Sequence, residues 1–172
     1  MGKITKPVGV KLIIGFIYQD KSVFDKLKLK LQRKFGPFDF ESQEIEFNYT
    51  DYYAKEFGTS LKRKFASFRK LIRPENLWAI KHYTNRLEMK FSSCGKRRIN
   101  IDPGYLTPAK LVLASTKDYA HRIYLKKGIF AEISLSFKGG SFQPLEWSYP
   151  DFRSEEYQNV FKQIRAIILP EK

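Results

Sequence analysis

The run Val8-Gly9-Val10-Lys11-Leu12-Ile13-Ile14-Gly15-Phe16-Ile17-Tyr18 leaves the chain little choice. It is almost continuously apolar and rich in β-branched residues, so neither face is available for water. It reads as a central strand covered on both sides. Amphipathic helices supply candidate covers. Phe24, Leu27, Leu31 and Phe35 recur at helical spacing, with Ser22 and Asp25 as a capping box and Gly36-Pro37 as the stop. Leu77, Ile80, Leu87 and Phe91 mark a second stripe, entered at Pro74 and left at Gly95. Tyr157, Val160, Phe161, Ile164 and Ile168 mark a third, with Ser154 as N-cap and Glu155 and Glu156 in the first turn.

Strands are expected between them. Ile45, Phe47 and Tyr49 alternate within Glu44 to Tyr49. Leu61 to Ile72 matches a helical template somewhat better than alternation, yet a strand there completes a β-α-β-β-α-β order, and a strand is the expectation. Arg98 to Asp102 alternates as well. It is expected to break at Asp102-Pro103-Gly104 and restart as a short helix from Pro108 to Ser115, because Thr107-Pro108 is a good N-cap with proline behind it. His121 to Leu125 and Ile129 to Phe137 read as a hairpin turning at Lys126-Lys127-Gly128. The expected fold class is α+β: a ferredoxin-like split βαβ sandwich, extended by a C-terminal β-hairpin and helix, in one domain over residues 1–172.

Charge narrows the partners. The chain carries 32 Lys+Arg against 18 Asp+Glu, a net +14. Residues 1–98 hold 22 basic and 10 acidic side chains, whereas residues 99–172 hold 10 and 8. Such asymmetry favours a polyanionic partner. The single cysteine, Cys94, leaves no internal disulfide and no multi-cysteine metal site. With two histidines a three-histidine metal site is excluded, and no motif specifies a cofactor. No apolar run approaches the roughly 18–20 residues of a membrane span, and the N-terminus lacks a signal-peptide core. A cytoplasmic protein without membrane partners is expected.

Several side chains are candidates for chemistry. Asp102 and Tyr105 stand where a strand is expected to end, a common address for functional groups. His121 with Asp102 would make an acid–base pair, the carboxylate orienting the ring; a half-buried histidine at a strand start is the plain alternative. Lys110, Lys117 and Arg122 would converge on the expected helix start at Pro108 and suit a phosphate or carboxylate; the plain alternative is that Lys110 and Lys117 simply point to water. Lys62, Arg63, Lys64, Arg69 and Lys70 surround Phe65 and Phe68, with no acid among them. Cations beside aromatics suit single-stranded nucleic acid, although the phenylalanines read equally as core. Glu132 could join Asp102 in holding magnesium, or be an ordinary surface residue. Trp147 and Tyr149, in a proline-rich loop, would wall a pocket or cover the sheet.

A group of motifs carries a family resemblance. Asp51-Tyr52-Tyr53, Phe65-Ala66-Ser67-Phe68, Asp102-Pro103-Gly104-Tyr105, Lys110-Leu111-Val112-Leu113-Ala114, Thr116-Lys117-Asp118, Ala120-His121-Arg122-Ile123-Tyr124, Ser141-Phe142-Gln143-Pro144 and Tyr149-Pro150-Asp151 look like a small prokaryotic family, the domain of unknown function 4416. The resemblance covers almost the whole chain. It implies a bacterial or archaeal source and a stand-alone small protein, and it brings no established activity. A GTP-binding label sometimes attached to that family finds no Gly-x-x-x-x-Gly-Lys-Ser/Thr loop here.

The leading expectation is a protein that binds an anionic, phosphate-bearing ligand, a nucleotide or RNA. Tyr105, Lys110, Lys117, Arg122, Asp51 and Tyr52 are the expected ligand contacts. The alternatives are a small enzyme acting on a phosphorylated metabolite, with His121 as general acid or base and Asp102 orienting it, and a structural or assembly protein.

Overall fold

The computed structural model of the chain describes residues 2–49, 56, 58 and 60–169. Among these residues, nine strands form one antiparallel sheet. They are β1 (Val10–Tyr18), β2 (Phe38–Glu41), β3 (Ile45–Phe47), β4 (Leu61–Ile72), β5 (Ile99–Leu106), β6 (Lys110–Ser115), β7 (Ile123–Lys126), β8 (Ile129–Lys138) and β9 (Ser141–Pro144). The path runs β2-β4-β1-β5-β6-β8-β7, with β3 also on β4 and β9 on β8. Three helices cover it: α1 (Lys21–Phe35), α2 (Leu77–Lys90) and α3 (Glu155–Ile168). The first part, β1-α1-β2/β3-β4-α2-β5, has β1 between β4 and β5, which is the split βαβ order of a ferredoxin-like sandwich. The chain is α+β. No helix among the described residues is long and apolar enough to cross a membrane.

Strand alternation assigns each face. Leu12, Ile14, Phe16 and Tyr18 of β1 pack with Val23, Phe24, Leu27 and Leu31 of α1 and Ile80 and Leu87 of α2. The next residue along each pleat points the other way. Ile13, Phe65 and Leu113 therefore pack with Tyr157, Phe161 and Ile164 of α3. β1 is buried along its whole length, as its composition requires.

Residues 61–72 settle as a strand because they lie inside the sheet, between β1 on one side and β2 and β3 on the other. Two local readings change. Helix α1 is capped by Asp20, whose carboxylate accepts the Ser22 N–H at 2.8 Å, while Asp25 pairs with Lys21. Strand β2, after Gly36-Pro37, adds to the expected order: Phe38-Asp39-Phe40-Glu41 does alternate, over only four residues.

The larger correction concerns residues 102–115. Strand β5 does not break at Asp102-Pro103-Gly104, and residues 110–115 form β6, not a helix. The side-chain chemistry that suggested an N-cap is present in another setting. Thr107 Oγ1 accepts the N–H groups of Ala109 and Lys110 at 3.2 and 3.1 Å, closing a β-turn instead of opening a helix. Leu111 and Leu113 then face α3, while Val112 and Ala114 pack with Leu77 beneath α2. Burial on both faces suits a strand.

Pro103 and Gly104 fit within β5 for different reasons. The Ile101 N–H and C=O point away from β1, toward α2. By the two-residue period Pro103 faces the same way, at a position where β6 has not yet joined, since β5 and β6 pair only from Gly104 to Leu106. A missing N–H there costs the ladder nothing. Gly104 sits under β6. A Cβ on it would collide with the Val112 carbonyl oxygen and stand 2.7 Å from Leu113 Cδ2. The glycine permits close approach of two backbones and makes no turn.

Gly104→Ala should therefore lower stability by about 2–3 kcal/mol or more through forced separation of β5 and β6. Chemical denaturation checks this; a loss below about 0.5 kcal/mol would mean that β6 can shift without penalty.

Candidate functional site

The site exists because β5 and β6 part company. They pair over Gly104–Leu106 and Leu111–Leu113, and then diverge while β6 stays on β8 as far as Ser115. The wedge between them is a cleft of ≈ 650 Å³, within the range of small-molecule sites.

The first wall repairs the free edge of β5. Ile101 N–H donates to Glu88 Oε1 at 2.6 Å, and Lys81 Nζ donates to the Ile101 carbonyl at 3.1 Å. Lys81 and Glu88 are seven residues apart, two helical turns, so both project from the same face of α2. Arg97 binds Glu88 Oε2 at 3.0 Å and Asn100 Oδ1 at 3.2 Å, and grips Glu56 through two 2.7 Å contacts. Asn100 Nδ2 donates to Asp102 Oδ2 at 2.5 Å. Asp102 also faces Lys81 at 3.4 Å and Arg63 at 3.6 Å, looser than the 2.7 Å Arg97–Glu56 pair.

Arg63 reaches this position by crossing the sheet. Its guanidinium lies over the Phe65 ring, 4.7 Å from the centroid, and over Gly15, where a Cβ would come within 2.9 Å of it. Gly15 thus makes room for a buried cation in the centre of the strongest strand.

The opposite wall is built on β8. Glu132 is 3% exposed. Its Oε2 accepts from Arg122 Nε at 2.6 Å and meets His121 Nε2 at 3.1 Å. Arg122 then donates to Ser115 Oγ at 2.8 Å, the Lys117 carbonyl at 3.0 Å and the Tyr149 hydroxyl at 2.8 Å. Tyr119 covers the guanidinium face. Tyr149, Asp151 and Phe152 close the cleft from the loop before α3.

These charges perturb one another. Burial raises the Glu88 carboxyl above its ordinary range, and the Asp102 charge adds to this against Lys81 and Arg97. Burial likewise raises Asp151, again with Asp102 contributing and Arg63 opposing. Burial pushes the Tyr149 phenol up despite Arg122. For Arg122 burial acts downward, but Glu132 outweighs it and the guanidinium is held more firmly charged.

The structure gathers Asp102, Arg63, Lys117 and Arg122 at the cleft. His121 does not pair with Asp102. Its ring is stacked on Trp147 at 5.3 Å, behind Glu132, and opens to a shallow surface hollow. Glu132 is neither exposed nor part of a magnesium set with Asp102; its carboxylate is engaged by the Arg122 guanidinium and the His121 ring. Tyr105 packs on the α2 side with Trp78, and Lys110 begins β6 against Ser136, so neither reaches the site. No helix starts at Pro108 to gather Lys110, Lys117 and Arg122.

The basic run also divides. Lys62 pairs with Glu46, and Lys64 pairs with Glu41 beside the Phe24 ring, while Arg63 takes the opposite face. Arg69 and Lys70 are exposed at the far end of β4. Alternation makes a single cationic surface from these five impossible. Asp51 and Tyr52 lie outside the described residues.

Sequence reasoning missed Lys81, Glu88 and Asn100. A signal existed for the first two. They interrupt the apolar stripe of α2 on its buried side, between Ile80, Thr84 and Leu87. Charges on a buried stripe announce a polar partner.

Glu88→Ala should cost about 2–4 kcal/mol, because it strands the Ile101 N–H and removes the buried carboxylate that pairs with Arg97, which keeps only Glu56 and Asn100 among its contacts named above. Glu88→Gln keeps an acceptor and should cost less than half of that. Hydrogen exchange at the Ile101 amide should accelerate in the alanine variant alone; equal protection in both would show that another group satisfies that N–H.

Comparison with known proteins places this geometry in a family. No curated protein and no solved structure matches the chain. A family model, the Domain of unknown function (DUF4416), matches residues 8–167. Because that match takes in all nine strands, both walls of the cleft and nearly all of α3, the chain belongs to the DUF4416 family.

Proposed function

We infer that the β5–β6 cleft binds a phosphate-bearing small molecule of nucleotide size. One observation carries this reading: buried charges of both signs converge on a single cleft, at a desolvation cost that a purely structural role repays poorly. Lys81 and Arg63 flank Asp102 at distances longer than the tight pairs around them, and Lys117 stands at the mouth. A phosphate fits among these three cations, through charge-assisted hydrogen bonds. Asp102, accepting from Asn100, has acceptor capacity left for a sugar hydroxyl. Tyr149, fixed through its hydroxyl by Arg122, offers a ring face at the rim.

A second reading adds turnover. Asp151 faces the cleft with its carboxyl raised by burial, so it keeps a proton to higher pH than a solvated aspartate, as a general acid requires. His121, outside the cleft, reaches it only through Glu132 and Arg122.

Thermal melts against nucleoside mono-, di- and triphosphates and sugar phosphates test the binding reading. A ligand at about a hundred times its Kd adds ~2.7 kcal/mol, roughly a 5–10 °C rise in Tm for a chain of this size. Lys117→Ala should weaken the best ligand about tenfold, one charge-assisted contact. If no phosphorylated compound moves Tm at millimolar concentration, the reading fails. For the second reading, Asp151→Asn should abolish phosphate release or isomerisation while ligand affinity stays within about threefold.

A further inference from the structure

The outer face of the α1–α2 layer turns away from the cleft wall that Lys81 and Glu88 build on the inner side of α2. Helices α1 and α2 together carry nine cations and two acids, half of the net +14 of the chain. Of the two acids, Glu88 is buried in the cleft wall and Asp25 is taken by Lys21. The outer surface therefore presents Lys26, Lys30, Arg33 and Lys34 of α1 and Arg86 and Lys90 of α2, all exposed.

These positions form a surface between neighbouring helices. Phe35 and Tyr83 make an edge contact at 5.5 Å, and Lys34 Nζ lies 5.7 Å from the Tyr83 ring centroid. Helical geometry then aligns Lys26, Lys30 and Lys34 along α1 at four-residue steps, with Tyr83, Arg86 and Lys90 facing them from α2. The C-terminal ends of the helix dipoles account for Arg33, Lys34 and Lys90. They do not account for Lys26, Lys30 or Arg86. Two like-charged i,i+4 contacts in one helix are each mildly destabilising, by about 0.2–0.5 kcal/mol. Solubility alone would be served as well by mixed charges.

We propose that the α1–α2 face binds the phosphate backbone of a nucleic acid, independently of the cleft ligand. Charge complementarity fits a regularly charged polyanion, each lysine step presenting a fresh cation along one groove. An anionic membrane is the less suitable occupant. Leu29 and Met89 are the exposed large hydrophobic residues on these helices. The helical wheel turns Met89 toward β8, away from Leu29, so no continuous apolar surface is available for insertion.

The test uses fluorescence anisotropy with labelled 20-nucleotide single-stranded RNA and a duplex of equal length, from ~50 to ~200 mM salt. Wild-type protein should bind at the low end with a steep inverse salt dependence. The triple variant Lys30→Glu/Lys34→Glu/Arg86→Glu should weaken binding at least tenfold and reduce the log–log salt slope by about 2, three phosphates fewer. Its Tm response to nucleotides should match wild type, which separates this face from the cleft. Absence of nucleic-acid binding at ~50 mM salt, or an unchanged affinity and slope in the folded triple variant, overturns the proposal. So does tighter binding to phosphatidylserine vesicles than to either nucleic acid, lost in the same variant.

Discussion

The Ile101 peptide group is the point on which this molecule turns. Its N–H and C=O face outward from a strand whose neighbour has moved away, in the interior of a sheet where water is scarce. Glu88 and Lys81 take the place of a strand. Without them the sheet would have to close, since an unpaired buried amide costs about as much as a lost hydrogen bond. With them β5 and β6 can stay apart, and the gap becomes a cleft. The same two charges need partners of their own, which is why Arg97, Asn100 and Asp102 gather along one wall.

The two walls differ in character. The wall on β5 and α2 is a chain of contacts from Glu56 to Arg97 to Glu88 and Asn100, ending at Asp102, which Asn100 holds closely and the Lys81 and Arg63 cations only at longer range. The wall on β8 is tightly closed around Arg122, which satisfies Glu132, Ser115, the Lys117 carbonyl and Tyr149 at once. A rigid wall opposite a carboxylate whose ion pairs are long is an arrangement in which a ligand can replace weak contacts without dismantling strong ones. Around the cleft the signs nearly balance, while the outer helical layer is strongly one-sided. The same basic composition thus serves two physical purposes, internal pairing in one place and an open field in the other.

Much of the architecture was legible. The covered strand at Val10–Tyr18, the three amphipathic helices and the Lys127-Gly128 hairpin follow from periodicity and turn chemistry. At Asp102-Pro103-Gly104-Tyr105 that reasoning met its limit. Proline and glycine usually mark a turn because their own backbone preferences ask for one. Here Pro103 is admitted by an absent neighbour and Gly104 by a neighbour pressed too close. Both causes sit in other strands. The Thr107 hydroxyl misled in the same way, since the bonds that cap a helix also close a β-turn.

By itself the sequence determined which segments alternate, which stripe of each helix is apolar, and how unevenly the positive charge is spread. Those are local properties, set by 2.0- and 3.6-residue periods and by composition. Only the tertiary structure decided that His121 turns to Glu132 instead of Asp102, that Arg63 leaves its basic neighbours to lie over Gly15, and that Lys81 and Glu88 stand in for a missing strand. Each of these depends on where two distant backbones stop pairing, and no local period carries that information.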